Sequence, residues 1–182
     1  MVPVERHCRR PAAFYTLITF DGSLTGGGAT LHVGVPSLSE ASRRPIVAYT
    51  SAVWSQSDLA MISVRAGDPA GQARVEALTL AMALRTWKEI LLTTHGMLAV
   101  RGDALGILMD VVKLKARDPV LNLLAHDMSL TIAPTGLDLR VAHVWTEKNK
   151  VCDLLSRRQS EGPIDHPELN AAKVLRAKRV SL

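Results

Sequence analysis

Alternating apolar and polar positions predict three strands in the first third of the chain. Residues 14–21 and 28–35 are β-branched and aromatic runs on either side of a glycine-rich stretch, and 46–54 alternates more loosely. Three such runs joined by short links are typical of an antiparallel meander. Residues 1–13, which contain two prolines, are predicted to form an irregular lead-in.

The remainder of the chain alternates helices with strands. Its predicted elements are a helix over 70–90, a strand over 97–101, a helix ending near 116, a helix starting at Asp118 and Pro119, a strand over 137–145 and a helix over 148–159. The first of these helices is apolar nearly all round, so we expect it to be buried on more than one side. Residues 59–64 are predicted to be a short strand or a turn. This order predicts an α/β fold with a five-stranded mixed sheet, three antiparallel strands followed by parallel ones, and helices on both faces.

The length of 182 residues fits one domain. We place that domain at 14–159 and interpret 160–182 as a detachable basic C-terminal extension, which would be a linker, a duplex grip or a docking helix. No apolar run would span a bilayer, and the N-terminus lacks the apolar stretch of a signal peptide. The two cysteines, Cys8 and Cys152, are too few for a disulfide framework or a zinc site. We therefore expect an intracellular protein that is not secreted and has no membrane partner.

The net charge of +5 favours polyanionic partners without specifying one. Lys113, Lys115 and Arg117 cluster where the second long helix is predicted to end. We predict that they contact nucleic-acid phosphates. Favourable interaction of cations with a helix C-terminus would explain the same cluster.

Four acidic residues stand out against the predicted elements. Asp21 lies near the end of the first strand, Glu76 in the second turn of the apolar helix, Asp103 at the end of the fourth strand and Asp153 in the last helix. If the first and fourth strands are parallel neighbours, Asp21 and Asp103 lie side by side at one end of the sheet. Carboxylates that converge without basic partners need cations, and oxygen ligands suit Mg²⁺ or Mn²⁺. Two such ions about 3.5–4 Å apart are suited to phosphodiester hydrolysis.

Each acid also has an ordinary structural explanation. A hairpin turn in which Gly22 and the glycines at 26–28 supply positive φ angles would account for Asp21. A helix N-cap would account for Asp103. An exposed helical position would account for Glu76, although its apolar neighbours argue against exposure.

Four segments of the chain together resemble a known family. They are Ile18-Thr-Phe-Asp21-Gly-Ser, Arg74-Val-Glu76-Ala-Leu, Val100-Arg-Gly-Asp103-Ala and the stretch from His143 through Asn149 to Asp153-Leu-Leu-Ser-Arg. In this order they resemble the ribonuclease H fold. The last segment is especially similar to the ribonuclease H domains of retroelement reverse transcriptases. The resemblance spans about residues 15–158.

The resemblance implies a metal-dependent endoribonuclease that hydrolyses the RNA strand of RNA–DNA hybrids, with an adjacent reverse transcriptase domain as partner. It implies two Mg²⁺ ions, which Mn²⁺ can replace, held by Asp21, Glu76, Asp103 and Asp153. It also implies nucleic-acid contacts from Gly22 and Ser23, which would recognise the 2′-hydroxyl, and from Asn149.

One departure from the family concerns histidine. Many members carry a histidine in a mobile loop shortly before the last acid, where it assists product release. Residues 146–149 leave no room for that loop, so we expect His143 to be a structural strand residue.

Two alternatives stay open. One is a polynucleotidyl transferase of the same fold, against which the lack of an evident Asp-x-x-x-Glu pair argues. The other is a non-catalytic module that connects domains or binds nucleic acid, against which the four acids argue.

Overall fold

The computed structural model describes residues 14–38, 40, 44–65, 69–113 and 115–180. Its strands are Tyr15–Gly22 (β1), Gly26–Val35 (β2), Ala48–Val53 (β3), Met97–Gly102 (β4), Asp138–His143 (β5) and Lys173–Val174 (β6). Its α-helices are Gln56–Met61 (α1), Pro69–Thr93 (α2), Leu105–Lys113 (α3), Pro119–Ile132 (α4) and Lys150–Ser156 (α5). None of these helices combines the length and the apolar character that a membrane span requires. The predicted lead-in at 1–13 lies outside the described residues.

The strands form one mixed sheet in the order β5-β4-β1-β2-β3-β6. The pairs β1–β2 and β2–β3 are antiparallel, whereas β1–β4, β4–β5 and β3–β6 are parallel. The predicted meander followed by parallel strands is therefore confirmed. The predicted count of five strands is wrong, because β6 adds a sixth strand at the edge. A two-residue strand is too short to leave an alternating pattern in the sequence.

The central strand β1 is buried along nearly its whole length, as expected for a strand covered on both faces. Its register with β4 runs in parallel from Tyr15 opposite Met97 to Thr19 opposite Arg101. The two strands therefore end at the same edge of the sheet. Asp21, near the end of β1, and Asp103, directly after β4, both lie at that edge.

Each face of the sheet carries helices, as predicted. Ile18, Phe20 and Val100 face α2, and the far side of α2 packs against α4. This confirms that the apolar helix is buried on more than one side. The opposite face is covered by α5, which contacts β1, β2 and β3.

The segment before α2 differs from the prediction. Residues 56–61 form α1, so the short strand or turn predicted over 59–64 is wrong for 59–61, whereas residues 62 and 63 do form a turn. The helix begins with a reciprocal cap in which the Asp58 amide donates to Ser55 Oγ (3.1 Å) and the Ser55 amide donates to Asp58 Oδ2 (2.8 Å). The start of α4 is as predicted, since Asp118 Oδ1 accepts hydrogen bonds from the amides of Val120 and Leu121.

The C-terminal segment is packed on the domain along its described length, to residue 180. β6 pairs with the edge strand β3, and Leu169 is buried in a small cluster against Tyr49. Val180 is buried in the main core, and the Arg179 guanidinium lies 5.7 Å from the centre of the Trp54 ring. The segment therefore packs over the edge of the sheet, and the domain boundary at 159 stays a prediction.

Candidate active site

Three carboxylates meet at the shared C-terminal edge of β1 and β4. Asp21 is the seventh residue of β1, Asp103 directly follows β4, and Glu76 projects from the second turn of α2. One carboxylate oxygen from each lies within 4.8 Å of the others. The parallel pairing of β1 with β4 explains the first two positions, and the packing of α2 over the strand ends brings in the third.

The fourth predicted acid, Asp153, lines a cleft together with these three acids but is not one of the close group. The cleft has a volume of about 330 Å³. Its lining residues are Asp21, Gly22, Ser23, Leu24, Thr25, Gln72, Glu76, Asp103, Thr146, Asp153 and Arg157. Asp153 Oδ1 accepts a hydrogen bond from Arg157 Nε at 2.6 Å, so in this arrangement a guanidinium holds it.

Two glycines allow the helices to approach the sheet closely enough to bring these acids together. A Cβ on Gly22 would lie 2.8 Å from the Glu76 Cα, and a Cβ on Gly28 would lie 2.3 Å from the Leu155 Cβ. Neither glycine is among the described residues with positive φ. The hairpin explanation by positive φ is therefore wrong, and these glycines are required for close packing of α2 and α5.

Hydrogen bonds orient each of the three close carboxylates. Ser156 Oγ donates to Asp21 Oδ2 at 2.5 Å, and Thr146 Oγ1 donates to Asp103 Oδ2 at 2.9 Å. Gln72 Nε2 donates to Glu76 Oε1 at 3.1 Å. The partners come from three different parts of the chain, so the carboxylate geometry depends on the complete fold.

Burial and the charges of neighbouring carboxylates raise the pKa of Glu76 and of Asp21. Burial raises the pKa of Glu76 to about 8, the Gln72 hydrogen bond opposes this, and the charges of Asp21 and Asp103 add to it. Burial likewise raises the pKa of Asp21 to about 6, against the Ser156 hydrogen bond and with the charges of Asp103 and Asp153. A cation among them would relieve both effects.

The residues present fit a hard divalent cation. All the convergent donors are carboxylate oxygens, which Mg²⁺ and Mn²⁺ prefer. Glu76 Oε2 is buried and accepts no hydrogen bond from the described part of the chain. An uncompensated buried acceptor costs stability, and a metal ion would supply the missing partner. The three acids could therefore hold a metal ion.

Comparison with known proteins starts from structure, since no family model and no curated protein sequence matches this chain. RNase H1 of the halophilic archaeon Halobacterium salinarum NRC-1 matches 78% of this chain and 93% of its own, with 18% identity and a TM-score of 0.56. LC11-RNase H1, solved in complex with an RNA/DNA hybrid, matches 77% of this chain and 92% of its own, with 17% identity and a TM-score of 0.55. This chain has the ribonuclease H-like fold.

A longer protein contains the same fold as a part. The foamy viral protease-reverse transcriptase, solved with an RNA/DNA hybrid, matches 85% of this chain over 21% of its own length, with 11% identity and a TM-score of 0.51. The fold expected from the sequence resemblance is confirmed by these structures.

Within the ribonuclease H-like fold, the predicted nucleic-acid contacts fall into two groups. Gly22 and Ser23 line the cleft beside the acids. Lys113, Lys115 and Arg117 are exposed at and beyond the end of α3, outside the cleft lining. The contacts of these five residues with nucleic acid stay predictions.

Asn149 and His143 are placed differently from expectation. The Asn149 side chain is 2% exposed, and its Nδ2 donates to the backbone oxygen of Phe20 at 3.0 Å. It therefore anchors α5 to β1, and its contact with nucleic acid stays a prediction. His143 ends β5 as predicted, but its ring is exposed and lies against Trp145.

Sequence reasoning missed the side chains that hold the acids. Gln72 was detectable, because it precedes Glu76 by four residues and so lies on the same helix face. Arg157 was detectable for the same reason, because it follows Asp153 by four residues, whereas Thr146 and Ser156 gave no comparable signal for the carboxylates they contact. Ser156 lies 135 residues after Asp21, and only the fold brings the two together.

Proposed function

We propose that this chain is a metal-dependent endoribonuclease that hydrolyses the RNA strand of RNA–DNA hybrids. The observation that carries the proposal is the group of Asp21, Glu76 and Asp103 within 4.8 Å, with a buried and unpartnered Glu76 oxygen, at the strand ends of a ribonuclease H-like fold. Structural water or a bound cation would satisfy that oxygen, and a cation would in addition offset the mutual repulsion of the three clustered carboxylates.

We propose that the four acids bind two divalent ions, Mg²⁺ or Mn²⁺. Asp21, Glu76 and Asp103, which lie together, would hold one ion, and Asp153 with Asp21 would hold the other. When bound, the ions supply the charge that activates water and stabilises the leaving oxygen. The reaction consumes one water, breaks the bond between phosphorus and the 3′ oxygen, and leaves a 5′-phosphate and a 3′-hydroxyl. Ser156, Gln72 and Thr146 would keep the carboxylates oriented.

We propose substrate contacts for residues that border the cleft and for exposed basic residues. Gly22 and Ser23 border the cleft and would meet the ribose, whose 2′-hydroxyl distinguishes RNA from DNA. Lys113, Lys115 and Arg117 are exposed and would contact phosphates of the DNA strand. Support for a hybrid comes from LC11-RNase H1, which was solved with one.

The proposed setting is inside the cell, beside a reverse transcriptase domain of a retroelement. The support is the final sequence segment and the match to about a fifth of a foamy viral protease-reverse transcriptase. Fusing the chain to a reverse transcriptase domain should lower the hybrid concentration needed for half-maximal cleavage, because tethering raises effective concentration.

A cleavage assay tests the activity. The protein is incubated with an end-labelled RNA–DNA hybrid, an RNA duplex and a DNA duplex, with Mg²⁺, with Mn²⁺ and with chelator. Glu76→Gln is the matched control, because the neutral amide resembles the protonated carboxyl that burial favours. We expect metal-dependent cutting of the hybrid alone by the wild type, and none by the variant.

A metal titration supplies a readout that does not depend on turnover. Mg²⁺ should raise the melting temperature of the wild type and leave that of Glu76→Gln nearly unchanged, because ligands that bind the native state stabilise it. Strand transfer on DNA ends would favour a transferase, and hybrid binding without cutting would favour a connecting module.

A further inference from the structure

One large exposed aromatic side chain, next in the sequence to the cleft residue Thr146, has no role in the proposed chemistry. The chain has three tryptophans. Trp54 and Trp87 are 8% and 0% exposed, whereas Trp145 is 67% exposed. Tryptophans on surfaces are among the side chains that contribute most to binding when a partner covers them.

The backbone fixes Trp145 relative to the acids. The preceding residue, Val144, is buried and donates its amide to the Gly102 oxygen at 3.0 Å, at the end of β4. The following residue, Thr146, lines the cleft and donates its hydroxyl to Asp103 Oδ2 at 2.9 Å. Trp145 therefore lies between two residues that are anchored at the C-terminal end of β4, and it borders the candidate site.

The Trp145 ring is also oriented before any ligand binds. It makes a perpendicular contact with His143, with ring centroids 5.0 Å apart and an interplanar angle of 89°. Lys148 and Lys150 follow closely and are exposed. An oriented aromatic ring next to positive charge is the combination that proteins use to hold nucleotides, with stacking on the ring and attraction to phosphate.

We propose that Trp145 packs its ring on the sugar and base edge of a nucleotide flanking the bond that is cut. The inference rests on the proposed function and adds to it a contact that positions the strand over the acids. His143 orients the ring in this arrangement, and Thr146 ties the ring's position to Asp103.

Fluorescence gives a direct test, because the other two tryptophans are buried. The Asp103→Asn variant, which should bind without cutting, is titrated with an 18-base-pair RNA–DNA hybrid while acrylamide quenching is measured. We expect the hybrid to shift the emission and to protect it from acrylamide. Trp145→Ala should weaken hybrid binding roughly tenfold, and Trp145→Phe should retain most of the affinity. Leu123→Ala is the control, because Leu123 is 54% exposed on α4 and does not line the cleft.

The outcomes separate this inference from the proposed function. If the hybrid binds and is cut but Trp145 stays equally open to acrylamide, the nucleotide contact is wrong and the nuclease proposal stands. If Trp145→Ala binds as tightly as Leu123→Ala, the inference is overturned in the same way. If the wild type neither binds nor cuts a hybrid, both proposals fail.

Discussion

The two faces of the sheet are built in different ways. On one face α2 contributes 25 residues, including Leu84 and Trp87, which are fully buried. On the other face α5 contributes seven residues. Polar contacts hold α5 to β1: Cys152 Sγ lies 3.2 Å from the Thr19 oxygen, Asn149 binds the Phe20 oxygen and Ser156 binds Asp21.

We expect α2 to contribute most to the stability of the fold and α5 to contribute most to the geometry of the site. Burial of α2 removes a large apolar area from water and should dominate the free energy of folding. The shorter helix α5 buries fewer apolar side chains, Leu155 among them, and its polar contacts position Asp153 and orient Asp21. We infer that Glu76 and Asp103 form a rigid part of the site, whereas Asp153 lies on the short helix α5, which can shift at smaller cost, and Asp21 accepts a hydrogen bond from that helix.

The largest effect should come from neutralising an acid of the rigid part. Asp103→Asn should lower hybrid cleavage at least about 100-fold, because it removes charge stabilisation needed in the transition state, and should leave hybrid binding largely intact. Asp153→Asn should also lower cleavage but retain more of the Mg²⁺-induced rise in melting temperature. Cleavage rates and thermal melts with and without Mg²⁺ measure both. Near-wild-type cleavage by Asp103→Asn would remove Asp103 from the site.

Core truncation on the α2 face should affect stability alone. Leu84→Ala should lower the free energy of unfolding by about 2–5 kcal/mol, because Leu84 is fully buried. Asn149→Ala, on the α5 face, should cost about 1–3 kcal/mol, since it leaves the buried Phe20 carbonyl without its donor. Urea unfolding gives these values, and calorimetric titration with Mg²⁺ gives the affinity.

Only Asn149→Ala should weaken Mg²⁺ binding. The opposite result, weaker Mg²⁺ binding in Leu84→Ala alone, would contradict the assignment of stability to one face and site geometry to the other.

A methyl group placed under α5 should have an intermediate effect. Gly28→Ala would bring a Cβ within 2.3 Å of the Leu155 Cβ, and overpacking of this kind costs about 1–3 kcal/mol. Cleavage should fall further than stability alone explains, since α5 must move with Asp153. Gly106→Ala is the matched control, because nothing lies within 4 Å of its Cβ position in α3, and it should be neutral or slightly stabilising. Equal cleavage by the two variants would show that α5 tolerates displacement.

The smallest effect should follow the loss of an exposed ion pair. Arg157 is 68% exposed in its contact with Asp153, so Arg157→Gln should change the free energy of unfolding by less than about 0.5 kcal/mol. Mg²⁺ affinity should rise roughly twofold, because one positive charge no longer competes for Asp153. Isothermal titration with Mg²⁺ at low salt measures this change. Reduced affinity would indicate that Arg157 orients Asp153 for the metal.

The sequence pattern predicted best those elements whose periodic pattern extends over many residues. The 25-residue α2 and the eight-residue β1 were expected within three residues of their observed ends. The capping pair at Ser55 and Asp58 was overlooked, and with it α1. The strand Lys173–Val174 could not be predicted, because its pairing depends on the chain returning to β3.

The sequence predicted the acids of the candidate site but not the side chains that orient them. Acids at strand ends and on an apolar helix are visible as exceptions to a hydrophobic pattern, so the pattern alone indicates Asp21, Glu76 and Asp103. The side chains that orient them are ordinary polar residues, and nothing local distinguishes Thr146 or Ser156 from surface positions. The glycines were noticed, but the explanation by turn geometry was wrong, since they make room for helices.

The sequence by itself determined the order of strands and helices and the acids that interrupt them, because local periodicity and side-chain chemistry act over a few residues. Tertiary structure alone decided that three carboxylates lie within 4.8 Å, that Ser156 donates a hydrogen bond to Asp21 and that Trp145 stays exposed. Those facts depend on how closely helices approach the sheet and on contacts between residues far apart in the chain, which no local pattern records.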